Sequence, residues 1–418
     1  MLQTDYLIIG ASHAALSALQ TLRMHDPDGA VTMVTRDASL PYSPTLLPYV
    51  VSGRSQPERV FLRNDDYFRE QKVEYRRGAA VEKVDAGRST ARLADGEEIA
   101  YGKLLVASGA RPIVPPIPGL AAVPFHVLRT LDDAVALHEA LPATHHAVVL
   151  GAGLIGMHAA ENLAKAGAKV TIVEMQPHVL PGYFDAEAAT LIEQAFASAG
   201  VKLHTGTQAM GVEPAARGCR IALSNGAAIE CDLLVVGVGV APVTDFLAGS
   251  NVELDRGVLV DDTMRSSVAN IWAAGDVAQA RGFYDGAKTL NGILPDAVEQ
   301  GRIAGMAMAG DPGLKNYAGG VPLNTYTFFG KQAVSVGVHG DGVAGVEVVK
   351  TIDADAGRYL KIVLADNRLL GIFGIGVPFD PGVMWELILR RSDLAPVRER
   401  FLRSPQDAAR VLMSRTWR

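Results

Sequence analysis

The stretch Ala147–Glu174, AVVLGAGLIGMHAAENLAKAGAKVTIVE, decides the fold of this chain. Its apolar opening, Ala147–Leu150, has the composition of a strand buried on both faces. The run ends at Gly151-Ala152-Gly153-Leu154-Ile155-Gly156 and passes into a segment with helical spacing. A second buried run, Val170–Val173, follows and is closed by Glu174. Strand, glycine turn, helix, strand and acid in that order is the layout of a dinucleotide-binding βαβ unit. Gly151 serves the tight turn, Gly153 the approach of backbone to a pyrophosphate, and Gly156 the close packing of helix on strand. Ile155 lies in the same first helical turn. Glu174 stands where a carboxylate accepts ribose hydroxyls and repels a 2′-phosphate. No Lys or Arg follows in the next few residues, so NAD(H) is expected over NADP(H). The bland alternative, a glycine turn that holds nothing, fits this full context poorly.

The same layout occurs a second time at the start of the chain. Asp5–Asp37, DYLIIGASHAALSALQTLRMHDPDGAVTMVTRD, reads as strand, turn, amphipathic helix and strand. Its turn is Gly10-Ala11-Ser12-His13-Ala14-Ala15, with Ser in place of the second glycine and Ala in place of the third. Ala is tolerated at the third position. Ser12 adds a Cβ where backbone meets phosphate, but its hydroxyl can donate to that phosphate. The acid expected after the second strand is missing, and Thr35-Arg36-Asp37 stands there.

Bulk properties narrow the function further. A chain of 418 residues predicts two or three domains with ample core. A formal charge of −6 argues against a nucleic-acid footprint. No run of about 18 apolar residues appears, so no membrane span is expected. The first strand begins within a few residues of Met1, which leaves no room for a signal peptide, so a cytoplasmic location is expected. Two cysteines, Cys219 and Cys231, cannot make a disulfide framework or supply the four thiolates an iron–sulfur cluster usually needs. No metal ligands are assigned.

Between the motifs, Leu40–Gly53 (LPYSPTLLPYVVSG) is a proline-punctuated loop and short helix whose apolar residues and tyrosines suit a wall beside a flat cofactor. Val73–Ile99 alternates like antiparallel strands with tight turns. Lys103–Ala107 is a buried strand before Ser108-Gly109-Ala110-Arg111-Pro112, and the proline-dense stretch to Gly119 reads as a linker. Asp185–Gly200 predicts a helix, and Val201–Glu230 predicts hairpins with Asn225-Gly226 as a turn. Further on stand a strand ending in Gly237-Val238-Gly239-Val240-Ala241-Pro242, the run Ile271-Trp-Ala-Ala-Gly-Asp-Val277, and a helix around Ala297–Ala309. Aromatic-rich strands follow from about Gly320 to Gly376, then helices with a basic run (Arg390, Arg391, Arg398, Arg400, Arg403, Arg410, Arg415, Arg418) that reads as a solvated face.

The succession GASHAA, SGARP, GAGLIG with Glu174, GVGVAP and AAGD resembles the two-dinucleotide flavoprotein family of glutathione reductase, NADH oxidases, coenzyme A-disulfide reductases and ferredoxin or rubredoxin reductases. The resemblance implies an α/β fold with two Rossmann-like domains, for FAD and NAD, the second inserted into the first, plus a C-terminal α+β interface domain. It divides the chain into residues 1–114 (FAD, first part), 115–242 (NAD), 243–319 (FAD, second part) and 320–418 (interface). It further implies that Gly10, Ser12, His13, Ala14 and Ala15 cradle the FAD pyrophosphate. Thr35, Arg36, Ala107, Ser108 and Gly109 would lie along the rest of FAD, with Gly275 and Asp276 at its ribityl chain. Gly151, Gly153, Ile155, Gly156, Glu174 and Gly239 would hold NAD.

Three departures from the family carry information. Thr45, in Thr45-Leu46-Leu47-Pro48-Tyr49, stands where thiol-using members carry a redox cysteine, and a hydroxyl cannot relay electrons to a disulfide. Disulfide reduction is therefore excluded. The family's glutamate two residues after the third glycine is His158, and no obvious lysine in Leu40–Gly53 remains to pair with one. His158 is left between a nicotinamide-side contact and a core histidine, and Thr45 is a candidate flavin neighbour. The third departure is the missing FAD-ribose acid at Thr35.

Hydride exchange between nicotinamide C4 and flavin N5 needs positioning more than side-chain chemistry, so no general base is assigned. The segments PYSPTLLPYVVSG and GAGLIGMHAAENL are similar to the FAD-bearing NADH:acceptor subunits of multisubunit oxidoreductases such as phenylglyoxylate dehydrogenase and tungsten-dependent aldehyde oxidoreductase. That similarity implies an iron–sulfur partner and NAD+ reduction by electrons from 2-oxoacid or aldehyde oxidation. The alternatives are a stand-alone NADH:ferredoxin or rubredoxin reductase, a cysteine-free NADH oxidase, and a flavoprotein that serves only as a binding module.

Overall fold

The computed structural model describes residues 1–416, with side chains to Ser414, so the side chain of Arg415 and all of Arg418 lie outside the described residues. The chain forms two compact units. One comprises Met1–Leu47, Ser55–Arg111 and Val240–Gly320; the other comprises Pro48–Arg54, Pro112–Gly239 and Val321–Arg418.

The first unit is built on a mixed sheet in the order Val73–Arg76, Val31–Val34, Leu2–Ile9, Glu98–Val106, Thr90–Leu93 and Val81–Asp85, with Ile271–Ala273 also beside Glu98–Val106. Leu7, Ile8, Met33, Val34, Leu104 and Leu105 are wholly buried, as strands covered on both faces require. Leu2–Ile9, Val31–Val34 and Ile271–Ala273 all run parallel to their neighbours. Val73–Arg76 also pairs in parallel, with Val31–Val34. This corrects the antiparallel expectation for the start of Val73–Ile99, since alternation reports a half-buried face and not the direction of the neighbour. The rest of that stretch is antiparallel as expected. Helices His13–His25 and Leu294–Ala309 pack closely: a Cβ on Gly301 would strike the carbonyl oxygen of Ala14, and one on Gly305 would strike that of Ala18.

The second unit carries a parallel sheet in the order Lys202–His204, Lys169–Val173, His146–Leu150 and Leu233–Val236. An antiparallel sheet of Ala209–Pro214, Cys219–Leu223 and Ala228–Cys231 packs on it through Val148, Val212, Ile221 and Leu234. A five-stranded antiparallel sheet, Leu323–Phe328, Lys331–Gly337, Arg368–Ile375, Arg358–Ala365 and Glu347–Asp353, is followed by helices Pro381–Leu389, Arg398–Arg403 and Pro405–Thr416. Arg390, Arg391, Arg400, Arg403 and Arg410 are exposed, and Arg398 is half-buried beside Glu347.

Asp185 ties this last sheet to the helix Ala186–Ser198. It caps the helix through the Ala188 N–H (3.2 Å), accepts the Tyr359 hydroxyl (2.7 Å), and lies 3.0 Å from Lys350 Nζ. Partial burial works against the charge, yet Tyr359, Lys350 and the capping amide hold the carboxyl at about 2. A depressed carboxyl stabilises the fold above its unfolded value near 4 and loses that contribution as pH falls toward about 2. Asp185→Asn should cost about 1–3 kcal/mol at pH 7 and flatten the acid limb of the stability profile, as measured by urea unfolding between pH 7 and pH 2. An unchanged acid limb would remove this role.

Candidate functional site

In the first unit, the strand Leu2–Ile9 ends at Gly10, whose φ of +111° and position leave no room for a side chain, because a Cβ would run into the Ala107 carbonyl. Ser12 is the extended N-cap of the helix His13–His25, and its hydroxyl makes no capping bond. The free N–H groups of that first turn are the positive end of the helix, with no acidic side chain to neutralise it. Ala15 is fully buried and presses the helix onto the sheet, which is what its position in the motif demands. Ala107 directly follows the neighbouring strand, Ser108 Oγ donates to the Val243 carbonyl at 2.8 Å, and the Gly109 carbonyl accepts the Val243 N–H at 3.0 Å. Thr35 takes its N–H to the Arg76 carbonyl, and Arg36 Nε lies 3.7 Å from Asp37. Asp37, two residues after Thr35, accepts the Tyr42 hydroxyl at 2.9 Å.

Gly275 (φ +80°) approaches Ala14 across the two helices and donates its N–H to Gln300 Oε1 at 2.9 Å. Asp276 follows, beside Gly292. One turn before Gln300, Asp296 accepts the Asn291 amide, and burial pushes its carboxyl up to about 7. His13 Nε2 lies 3.1 Å from Ser43 Oγ, which is 2.8 Å from Thr45 Oγ1. Burial holds His13 below its ordinary value, partly offset by the charge of Asp276. The Thr45 hydroxyl thus ends a hydrogen-bonded chain that starts in the first turn of the helix. Sequence reasoning missed Ser43, Gln300 and Asp296, whose signal was polar residues at helix or loop positions that bury.

In the second unit, the strand His146–Leu150 ends at Gly151 (φ +98°), where a Cβ would come within 2.5 Å of the Gly237 carbonyl oxygen. Gly153 is the N-cap of the helix Leu154–Lys165, and open space lies where its side chain would be. A Cβ on Gly156 would strike the Gly151 carbonyl, so only glycine lets the helix seat against the turn. Ile155 is exposed on the first turn, and Gly239 (φ +124°) accepts the Ile113 N–H at 2.9 Å.

Glu174 is 7% exposed, and its carboxylate accepts the Ala152 N–H at 2.6 Å and the Gln176 N–H at 2.8 Å. The expected ribose acceptor therefore also braces the glycine turn. A carboxylate has about four lone-pair sites, which leaves capacity for sugar hydroxyls.

His158 and Tyr326 meet nearly at right angles, with ring centroids 4.4 Å apart, and burial pushes the imidazole down to about 4, so the ring is neutral at pH 7. On the same helix, Glu161 accepts the Phe329 N–H and the Lys165 ammonium, both at 2.6 Å, and Asn162 donates to the Pro48 carbonyl at 3.1 Å. Both residues were missed, although a Glu-Asn pair on the apolar face of a helix is a signal of buried partners. Among the described residues no group of three or more His, Cys, Asp or Glu side chains could hold a metal ion.

Each turn has a glycine held against backbone and a free helix N-terminus beside it, which suits a bound pyrophosphate. A family model described as pyridine nucleotide-disulphide oxidoreductase matches residues 4–303. The chain belongs to the pyridine nucleotide-disulphide oxidoreductase family. It is an FAD- and NAD-dependent oxidoreductase with a role in electron transfer. It is 58% identical over 99% of its length, and 98% of the relative's, to the NADH-dependent phenylglyoxylate dehydrogenase subunit epsilon of Aromatoleum evansii. A probable ferredoxin reductase of Castellaniella defragrans is 27% identical over 93% of this chain and 94% of its own. Among solved structures, a ferredoxin reductase from Rhodopseudomonas palustris superposes with a TM-score of 0.81 at 28% identity, covering 89% of this chain and 91% of that one. The α/β fold with two nucleotide-binding domains is that of these flavoprotein reductases. No helix among the described residues is long and apolar enough to cross a membrane.

Replacing Glu174 by Ala removes both the brace and the carboxylate. The KM for NADH should rise about 5- to 150-fold, as a loss of about 1–3 kcal/mol implies, with flavin content intact. Steady-state kinetics on flavin-replete protein checks this, and an unchanged KM would dismiss the assignment of Glu174 to the nucleotide site.

Proposed function

We propose that this chain is the FAD-bearing subunit of a cytoplasmic multisubunit oxidoreductase, passing electrons between NAD(H) and an iron–sulfur partner. In the catabolic direction it reduces NAD+ with electrons from oxidation of a 2-oxoacid or an aldehyde. The observation that carries this reading is the near full-length identity of 58% to the NADH-dependent phenylglyoxylate dehydrogenase subunit epsilon. The absence of a thiol at Thr45 supports it, since both cysteines of the chain lie elsewhere, at Cys219 and Cys231.

In this reading residues 1–114 and 243–319 bind FAD, residues 115–242 bind NAD, and residues 320–418 form the interface domain. Ser12, His13 and Ala14 present N–H groups to the FAD pyrophosphate, Gly10, whose own N–H goes to the Val34 carbonyl, lets the backbone come close, and Ala15 packs behind them. Thr35 and Arg36 face its adenosine, Ala107, Ser108 and Gly109 flank it, and Gly275 and Asp276 meet the ribityl hydroxyls. Gln300 fixes the Gly275 amide and so the place of Asp276. Gly151, Gly153, Ile155 and Gly156 receive the NAD pyrophosphate, Glu174 the ribose, and Gly239 the far side of the nucleotide. FAD held by these residues would supply two-electron hydride exchange with NAD(H) and single-electron exchange with the partner. The chain's own work is to bind, align and exclude water. His13, Ser43 and Thr45 hold a hydrogen-bonded chain with an uncharged imidazole, and His158 supplies a neutral ring against Tyr326.

A stand-alone NADH:ferredoxin reductase is the second reading, favoured by the ferredoxin reductases at 27% and 28% identity. Affinity purification from the native host separates the two. Co-purifying subunits that carry iron–sulfur clusters, and NAD+ reduction by a 2-oxoacid or aldehyde, are expected. Isolation of the chain alone, with fast reduction of an oxygenase ferredoxin, would overturn the complex in favour of the second reading. Asp276→Ala should yield flavin-poor protein by absorbance at full folding, and full flavin occupancy would strip Asp276 of its role.

A further inference from the structure

Cys219 and Cys231 are the only cysteines of the chain, and the site described above uses neither. They lie directly opposite each other on the antiparallel strands Cys219–Leu223 and Ala228–Cys231, with sulfurs 3.6 Å apart. The hairpin explains the alignment. Its turn centres on Asn225, where Gly226 N–H bonds the Leu223 carbonyl, and the two cysteines are equidistant from that residue. Directly opposed residues of an antiparallel pair have Cα atoms about 4.5–5.5 Å apart, inside the range a disulfide spans.

Both side chains are buried, at 2% and 3% exposure, and both are free thiols. Cys219 directly follows the exposed residues Ala216–Gly218. The sulfurs differ in character. The two sulfurs share a hydrogen bond, which holds the Cys219 thiol down, while that bond and burial push the Cys231 thiol up. The Val148 N–H also points at the Cys231 sulfur, and Asp232, the next residue, accepts the N–H groups of His145 and His146 at the root of the fingerprint strand.

We propose that Cys219 and Cys231 are a dithiol redox site, closed by hydrogen peroxide into an intrachain disulfide. The Cys219 thiolate attacks one peroxide oxygen: an S–O bond forms, the O–O bond breaks and water leaves. Cys231 then attacks the Cys219 sulfur: the S–S bond forms, the S–O bond breaks and a second water leaves. Two electrons pass from the sulfurs to the peroxide, and an added dithiol reverses the change by exchange. The sulfurs need to close from 3.6 Å to roughly 2.0 Å, a shift that side-chain rotation within the hairpin supplies.

The test uses the full flavin-loaded chain. Native protein is exposed to hydrogen peroxide, quenched, denatured and titrated for thiols, with intact mass and a peptide map. Two thiols per chain should fall to none, with loss of two hydrogen masses, a Cys219–Cys231 linked peptide, and full return of both thiols on reduction. Cys219→Ser and Cys231→Ser should each leave one thiol that gains oxygen or couples to an added small thiol without any cross-link. Two thiols persisting in the native protein, or oxygen mass gained on both sulfurs with no linked peptide, would overturn the proposal.

Discussion

The structure depends on backbone meeting backbone where no side chain fits. Gly151 sits under the Gly237 carbonyl, and Gly156 sits under that of Gly151. These approaches bring the ends of the paired strands His146–Leu150 and Leu233–Val236 and the start of the helix into direct backbone contact. The helix then begins with N–H groups that have no intrahelical partner, next to Gly153, where a Cβ would meet only open space. Gly10 against the Ala107 carbonyl repeats the device in the other unit. Neither helix carries a basic or acidic residue in its first turn beyond His13 itself, so the field an anion meets comes from backbone dipoles. A dipolar cradle keeps its strength at any pH, unlike one built from titrating groups.

The ionisable groups nearby follow the same logic. Burial keeps His158 and His13 neutral, and raises Asp296 to about 7. A neutral imidazole packed on Tyr326 stands where a glutamate would need a charged partner, so His158 leaves no unpaired buried charge at that position.

Both nucleotide motifs were legible in the sequence because each is local: strand, turn and helix lie within about 30 residues, and periodicity plus glycine spacing specify them. What escaped was relational. Nothing in VTIVE says that Glu174 turns back to the Ala152 amide, because that bond depends on the register of two parallel strands. Val73–Arg76 reads as a strand, but its pairing partner is a non-local choice. Ser43, Gln300 and Asn162 look like ordinary polar residues until folding brings Thr45, Gly275 and Pro48 to them. The opposition of Cys219 and Cys231 was in principle readable, since a turn centred on Asn225 places them at equal distances from it.

The strand Ile271–Ala273 joins the first sheet beside Leu104–Val106, its partner being made roughly 170 residues earlier. On a ribosome adding about 5–20 residues per second, that edge waits on the order of ten to thirty seconds for its neighbour. During this interval the nascent N-terminal sheet presents an open, apolar parallel edge, while Pro112–Gly239 emerges and has time to fold. Synthesis order therefore hands the inserted region its structure before the region that surrounds it in sequence is complete, and chaperone demand should concentrate on that exposed edge.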